Sequence, residues 1–112
     1  MSSLPPPNDA LADLASVLGD DNVRTLVRTF LRDFPTSFAE LSNGDRRNRH
    51  RVAHSMKSNS RLMGGNALAE RMAEIEARLG QATGADINPQ DLAEILAEFD
   101  ALAGPLRNFV GD

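Results

Sequence analysis

From Val23 to Leu41 the apolar residues Val23, Leu26, Val27, Phe30, Phe34, Phe38 and Leu41 recur mostly at intervals of three and four. That is the period of one face of an α-helix, and no segment of the chain alternates with the period of two that a half-buried strand needs. Pro35 lies inside the pattern and must either bend the helix or break it. Because the period survives across it, a kinked but continuous helix is expected.

The rest of the chain reads the same way. Asn8 or Asp9 caps a short helix running to about Leu18 and closed by Gly19, and Asp20 or Asp21 caps the long helix just described. Asn43, Gly44 and Asp45 form a turn and cap, after which a helix runs to about Met63 and stops at Gly64-Gly65. Asn66 caps a fourth helix with Leu68, Met72, Ile75 and Leu79 on one stripe. "GQATGADINPQ" is a loop, with Asn88 as cap and Pro89 at the first position of the last helix. That helix carries Leu92, Ile95, Leu96, Phe99, Leu102, Leu106 and Phe109, with a kink possible at Gly104-Pro105. Four long amphipathic helices on short connections pack most simply as an antiparallel up-down four-helix bundle, with the short N-terminal helix as a lid. The expected fold class is all-α: residues 1–7 are a Pro-rich tail and residues 8–112 the bundle domain.

A chain of 112 residues suits one domain with a modest core, and 41% hydrophobic and 25% charged residues make disorder unexpected. It contains no cysteine, which excludes disulfides, thiolate metal sites and cysteine nucleophiles. "MSSLPPPND" lacks the apolar run of a signal peptide, and no stretch approaches membrane-spanning length, so a cytoplasmic protein is expected. A net charge of -4 argues against a dedicated nucleic-acid binder. The charge is nevertheless uneven. Arg46, Arg47, Arg49 and Arg51 cluster together, whereas residues 86–100 carry only acids. The arginine cluster is open to two readings, a solvated helix face or a docking surface.

Within it falls the chain's most uneven placement. Both histidines and the one lysine, His50, His54 and Lys57, lie in eight consecutive residues. On the third helix Val52, Met56, Asn59 and Met63 form the expected inward stripe. His54 lies about 200° from Val52 and Met56, on a face with Arg47, His50, Lys57, Ser58 and Arg61. An exposed imidazole is a competent nucleophile. Acyl transfer would further require an oxyanion hole and a nucleophile elbow, for which there is no strand-turn-helix context. Phosphoryl transfer asks for an accessible nitrogen, neutralising cations and in-line access. Lys57, one turn along, and Arg61, two turns along, can neutralise a phosphoryl group, and Ser58 is small enough to leave the approach open.

These residues resemble the histidine phosphotransfer (HPt) domains of multistep two-component phosphorelays. The family signature runs Ala-His-x-Leu-Lys-Gly-(small)-(small)-x-x-Leu-Gly, and this chain has "AHSMKSNSRLMGG" followed by "NALAERMAEIEARL". Ala53, His54, Lys57 and Gly64 match outright, and Met56 and Met63 replace leucines. The match covers residues 50 to 79, with a looser likeness in helix order and in "FLRDFPTSFAEL". The resemblance implies that His54 accepts phosphate on Nε2 from a receiver-domain phosphoaspartate and passes it to another receiver's aspartate, with Lys57 stabilising the phosphoryl group. Glu76 stands where the family often has a polar side chain bonded to the imidazole; it either fixes the tautomer or is a surface glutamate without that contact. Ser58 departs from the family's glycine and bears on transfer rate and partner choice. The resemblance further implies receiver domains as partners, docking on helices two and three with Arg47, His50 and Arg51 at the contact. No cofactor is expected, Mg²⁺ belonging to the partner receiver, and neither are nucleic-acid or membrane partners; the chain is expected to be a monomer. It is expected to be a phosphocarrier without ATP-dependent kinase activity, since no nucleotide-binding loop is present. Phe34, Phe38 and Met56 could offer apolar contact to a partner, with core packing the favoured reading.

Three rivals compete. A degenerate HPt-like adaptor would bind partners without phosphotransfer. His50 and His54, four apart, suit two zinc ligands, but no third histidine or cysteine exists and the neighbouring cations would repel a dication. Nucleic-acid binding through "RRNRHR" lacks aromatic stacking residues.

Overall fold

The computed structural model describes residues 4–81 and 84–111. Residues 1–3 of the Pro-rich tail, Ala82 and Thr83 of the expected loop, and Asp112 lie outside that description. Among the described residues there are five helices and no strand: α1 (Asp9–Leu18), α2 (Asp20–Ser42), α3 (Arg46–Leu62), α4 (Asn66–Leu79) and α5 (Pro89–Val110). None of them is long and apolar enough to cross a membrane.

Capping chemistry sets most of the helix ends. The Asn8 side chain accepts from Leu11 N–H at the start of α1, Asp45 accepts from Asn48 N–H at the start of α3, and Asn88 and Asp91 form a reciprocal capping box on α5. Two expected caps are corrected. Asp20 and Asp21 do not cap α2, because one residue, Gly19, serves both as C-cap of α1 and N-cap of α2. Its positive φ of 86° is open to glycine, and the two aspartates are drawn into the first turn, where they complement the helix dipole instead. Asn66 likewise lies inside α4, whose N-cap is Gly65. Gly65 N–H bonds the Ser60 carbonyl and its own carbonyl accepts from Ala69 N–H, which starts the helix one residue early.

α2 is continuous through Pro35, and α5 through Gly104 and Pro105. Helix contacts run in a ring, α2 with α3, α3 with α4, α4 with α5 and α5 with α2, while α1 packs on α2. The main core joins all four longer helices through residues such as Phe34, Met56, Ile75 and Phe99, and a second cluster at the α1 end gathers Leu11, Val27, Met63 and Phe109. Phe34 and Met56 are buried and Phe38 packs against the core, so these three serve packing, as favoured. Leu26 and Leu96, expected inside, are instead partly exposed, at 37% and 41%. On α5 the buried positions are Ile95, Phe99, Ala103, Leu106, Phe109 and Val110.

The inward stripe of α3 also needs correction. Asn59 is exposed and Ser60 fully buried, so the stripe runs Val52, Ala53, Met56, Ser60, Met63. α3 lies between α2 and α4, and its buried arc is therefore wider than one stripe. The small Ala53 and Ser60 are both fully buried within that arc.

The acidic run of residues 86–100 is largely consumed inside the fold. Arg71 of α4 pairs with Glu94 and Glu98 of α5, Arg78 pairs with Asp91 at 2.8 Å, and Arg49 of α3 pairs with Asp86 at 2.5 Å. The Arg78 hydrogen bond in turn holds the Asp91 carboxyl below the usual carboxylate range against the opposing effect of burial.

Candidate functional site

His54 lies midway along α3, its side chain 59% exposed. Val52, Ala53 and Met56 take the buried positions on either side of it, so the helical period carries the imidazole outward. α4 packs along α3, and its buried stripe of Met72, Ile75 and Leu79 places Glu76 at the edge of the seam, facing back across it.

Glu76 touches two groups at once. Its Oε2 lies 2.5 Å from His54 Nδ1 and its Oε1 accepts from Lys57 Nζ at 2.6 Å. The Lys57 hydrogen bond, opposed by burial and reinforced by His54, holds the Glu76 carboxyl below its ordinary range. Glu76 is therefore an anion at neutral pH and can only accept. The proton between it and the imidazole belongs to Nδ1, and a neutral ring then has its lone pair on Nε2. Of the two readings of Glu76, the geometry excludes an uncontacted surface side chain.

The remaining cations divide sharply. Arg46 donates to the carbonyls of Arg78, Leu79, Gln81 and Gly84, capping the C-terminal end of α4 and holding the following loop. Arg49 donates to the Leu41 carbonyl as well as to Asp86. These two are structural ties and leave the expected steering surface. The carbonyl targets of Arg46 were hidden in the sequence because side chain-to-backbone bonds across more than 30 residues leave no local pattern. Arg47 and Arg51 stay exposed, Arg51 bonding the Asn48 side chain, and with His50 they line a shallow concavity at the start of α3. His50 is half-buried, its Nε2 3.2 Å from where a methyl group at Gly80 would stand. Ser58 and Arg61 are exposed and line a groove shared with α1. Lys57, half-buried, is thus bound to Glu76, whereas the Arg61 side chain makes no hydrogen bond to other described residues.

Among the described residues no group of three or more histidine, aspartate or glutamate side chains converges to hold a metal ion. His54 turns its Nδ1 to Glu76, and His50 turns toward the end of α4.

Sequence reasoning missed one contributor to this face, helix α1. Asn8 caps it and also donates from Nδ2 to the Met63 carbonyl at 2.9 Å, pinning it beside the C-terminal end of α3. Gly64, with φ 79°, makes that contact possible, since a methyl group there would sit 2.3 Å from the Asn8 side chain. The apolar Val17 and Leu18 at the end of the short helix were the available signal.

A family model described as Hpt domain matches residues 25–104, from within α2 to within α5. The match extends well beyond the 50–79 segment of the motif. Neither the curated proteins nor the solved structures gave a match.

Proposed function

The chain belongs to the Hpt domain family, phosphotransfer domains of two-component signalling, and from that membership we propose that it carries a phosphoryl group on His54. In this reading the four longer helices form an antiparallel up-down bundle, supported by their ring of contacts, and a receiver domain docks on the exposed face of α2 and α3. The Nε2 lone pair of His54 attacks the phosphorus of the receiver's aspartyl phosphate in line. An N–P bond forms, the P–O bond breaks, and the electron pair leaves with the aspartate carboxylate. The ring gains positive charge as it reacts, and Glu76, accepting from Nδ1–H, stabilises it. Lys57 swings from Glu76 to the phosphoryl oxygens, with Ser58 and Arg61 lining the approach. The reverse step hands the group to the aspartate of a second receiver. Mg²⁺, where required, acts in the receiver's own acidic pocket. No ATP-dependent step is assigned to this chain, and we place it in the cytoplasm as a monomer.

The observation that carries the reading is the outward imidazole whose Nδ1 is held by an anionic Glu76 that is itself anchored by Lys57. Incubation with a receiver domain carrying radiolabelled phosphate tests it. The expected result is label on the chain that is acid-labile and alkali-stable, as a phosphoramidate is. Binding to receivers without label would overturn it in favour of the adaptor reading, for which Ser58 in place of the family's glycine is the feature to examine first.

A further inference from the structure

Two features along α3 have no part in the transfer chemistry itself. Toward the helix start, Arg47 and Arg51 stand exposed one turn apart, with His50 beside them. Like charges at this spacing repel one another, and Asp45, which lines the same concavity, is already committed as the N-cap of α3. Toward the helix end, Val17, Leu18 and Leu62 are 80%, 41% and 45% exposed around a mainly apolar groove between α1 and α3, with Asp13 and Arg61 as its charged lining residues. His54 lies between, about 10 Å of helix rise from Arg47 and about 12 Å from Leu62.

We propose that the docking face around His54 is bipolar, and that it selects a receiver with acidic residues on one side of its phosphoaspartate and an apolar patch on the other. The proposal rests on the phosphocarrier reading and deepens it by fixing how the partner must lie. A span of about 22 Å along α3 fits within one side of a standard interface of about 800 Å² per partner. The apolar groove opens one turn from His54, at Ser58, so a partner delivering phosphate to the imidazole cannot avoid covering it. The cations at the other end complement the acidic groups that a phosphate-accepting aspartate site must contain to bind Mg²⁺. A uniformly charged or uniformly apolar surface would admit the partner in either direction. Opposite ends of different chemistry admit one, which places the aspartyl phosphate in line with Nε2 only in the productive orientation.

Two double variants at exposed positions test this, each assayed for the second-order transfer rate from a phosphorylated receiver across a salt series. Phosphoramidate, a small phosphodonor that needs no docking, reports on the histidine itself. Arg47→Ala/Arg51→Ala is expected to slow transfer about tenfold at low salt and to flatten the salt dependence. Val17→Ser/Leu62→Ser is expected to slow transfer about tenfold with the wild-type salt dependence retained. Labelling by phosphoramidate should be unchanged in both. An unaltered salt dependence in the first variant or an unaltered rate in the second would overturn the proposal. So would a wild-type dimer in sedimentation that the second variant dissociates, since the groove would then belong to another copy of the chain. A wild-type chain labelled by neither donor would instead bring down the phosphocarrier reading, and this proposal with it.

Discussion

Exchanging His54 for glutamine is expected to abolish phosphate acceptance from receivers and from phosphoramidate alike, while the melting temperature moves little. The side chain is mostly exposed and fills no part of the core, so its removal falls in the class of surface changes worth within about 0.5 kcal/mol. No other imidazole can substitute. His50, the remaining histidine, is half-buried against the end of α4, and among the described residues no carboxylate is hydrogen-bonded to its ring. Residual label on His54→Gln would move the acceptor elsewhere.

Glu76→Ala gives a graded result on the same assay. Losing the carboxylate behind a metal-ligating histidine typically costs about 10- to 100-fold, and if Glu76 orients His54 in the same way, a drop of that order is expected in transfer rate. Lys57 loses its anchor in the same substitution, whereas Glu76→Gln keeps an acceptor for Nδ1–H and should fall between. The two roles separate by pH. The folded-state carboxyl of Glu76 titrates below its ordinary value of 4.5, chiefly because Lys57 donates to it. Its stabilising contribution is therefore complete above the ordinary value and is lost as pH falls through the lower folded one. Acid unfolding of Glu76→Gln should lack that component. A transfer rate unaffected by Glu76→Ala would reduce the contact to a structural bridge between α3 and α4.

The helices were legible in the sequence because their cause is local. A period of three and four marks a buried face wherever one neighbour covers it, as on α4, where Leu68, Met72, Ile75 and Leu79 are all buried. The reading failed where two neighbours cover one helix. Asn59 completes a single stripe with Met56 and Met63, yet Ser60 is the buried residue, because α3 lies between α2 and α4. Capping misread Asp20 and Asn66 for a related reason: glycine turns of one or two residues leave no room for a side-chain cap, and the backbone satisfies itself. At the site, the outward direction of His54 followed from 100° arithmetic. The partition of the arginines did not. Arg46 and Arg47 are adjacent and chemically identical, but one points to the carbonyls at the end of α4 and the other to solvent. Only the placement of α4 and its loop decides between them.

That placement depends on a core whose aromatic cluster joins α2 to α5, across the ring of helices from the α3–α4 seam, and Phe99→Ala should expose the difference. The Phe99 ring stacks on Phe34 at 3.7 Å between centroids and 7° between planes, and Phe30 meets it at 5.9 Å. Truncating a buried phenylalanine costs about 3–5 kcal/mol, a large part of the roughly 5–15 kcal/mol that holds a domain of this size together. The melting temperature should fall by roughly 10–20 °C. Leu96→Ala, at an exposed position one turn before it on α5, should change stability by less than about 0.5 kcal/mol, which separates burial from mere hydrophobicity. Below the lowered transition, phosphoramidate should still label Phe99→Ala at nearly the wild-type rate. Glu76 and Lys57 are held along the α3–α4 seam, whereas the lost ring belongs to the α2–α5 seam. A parallel loss of labelling in the folded variant would mean that the imidazole depends on the whole core rather than on the one helix pair that carries its partners.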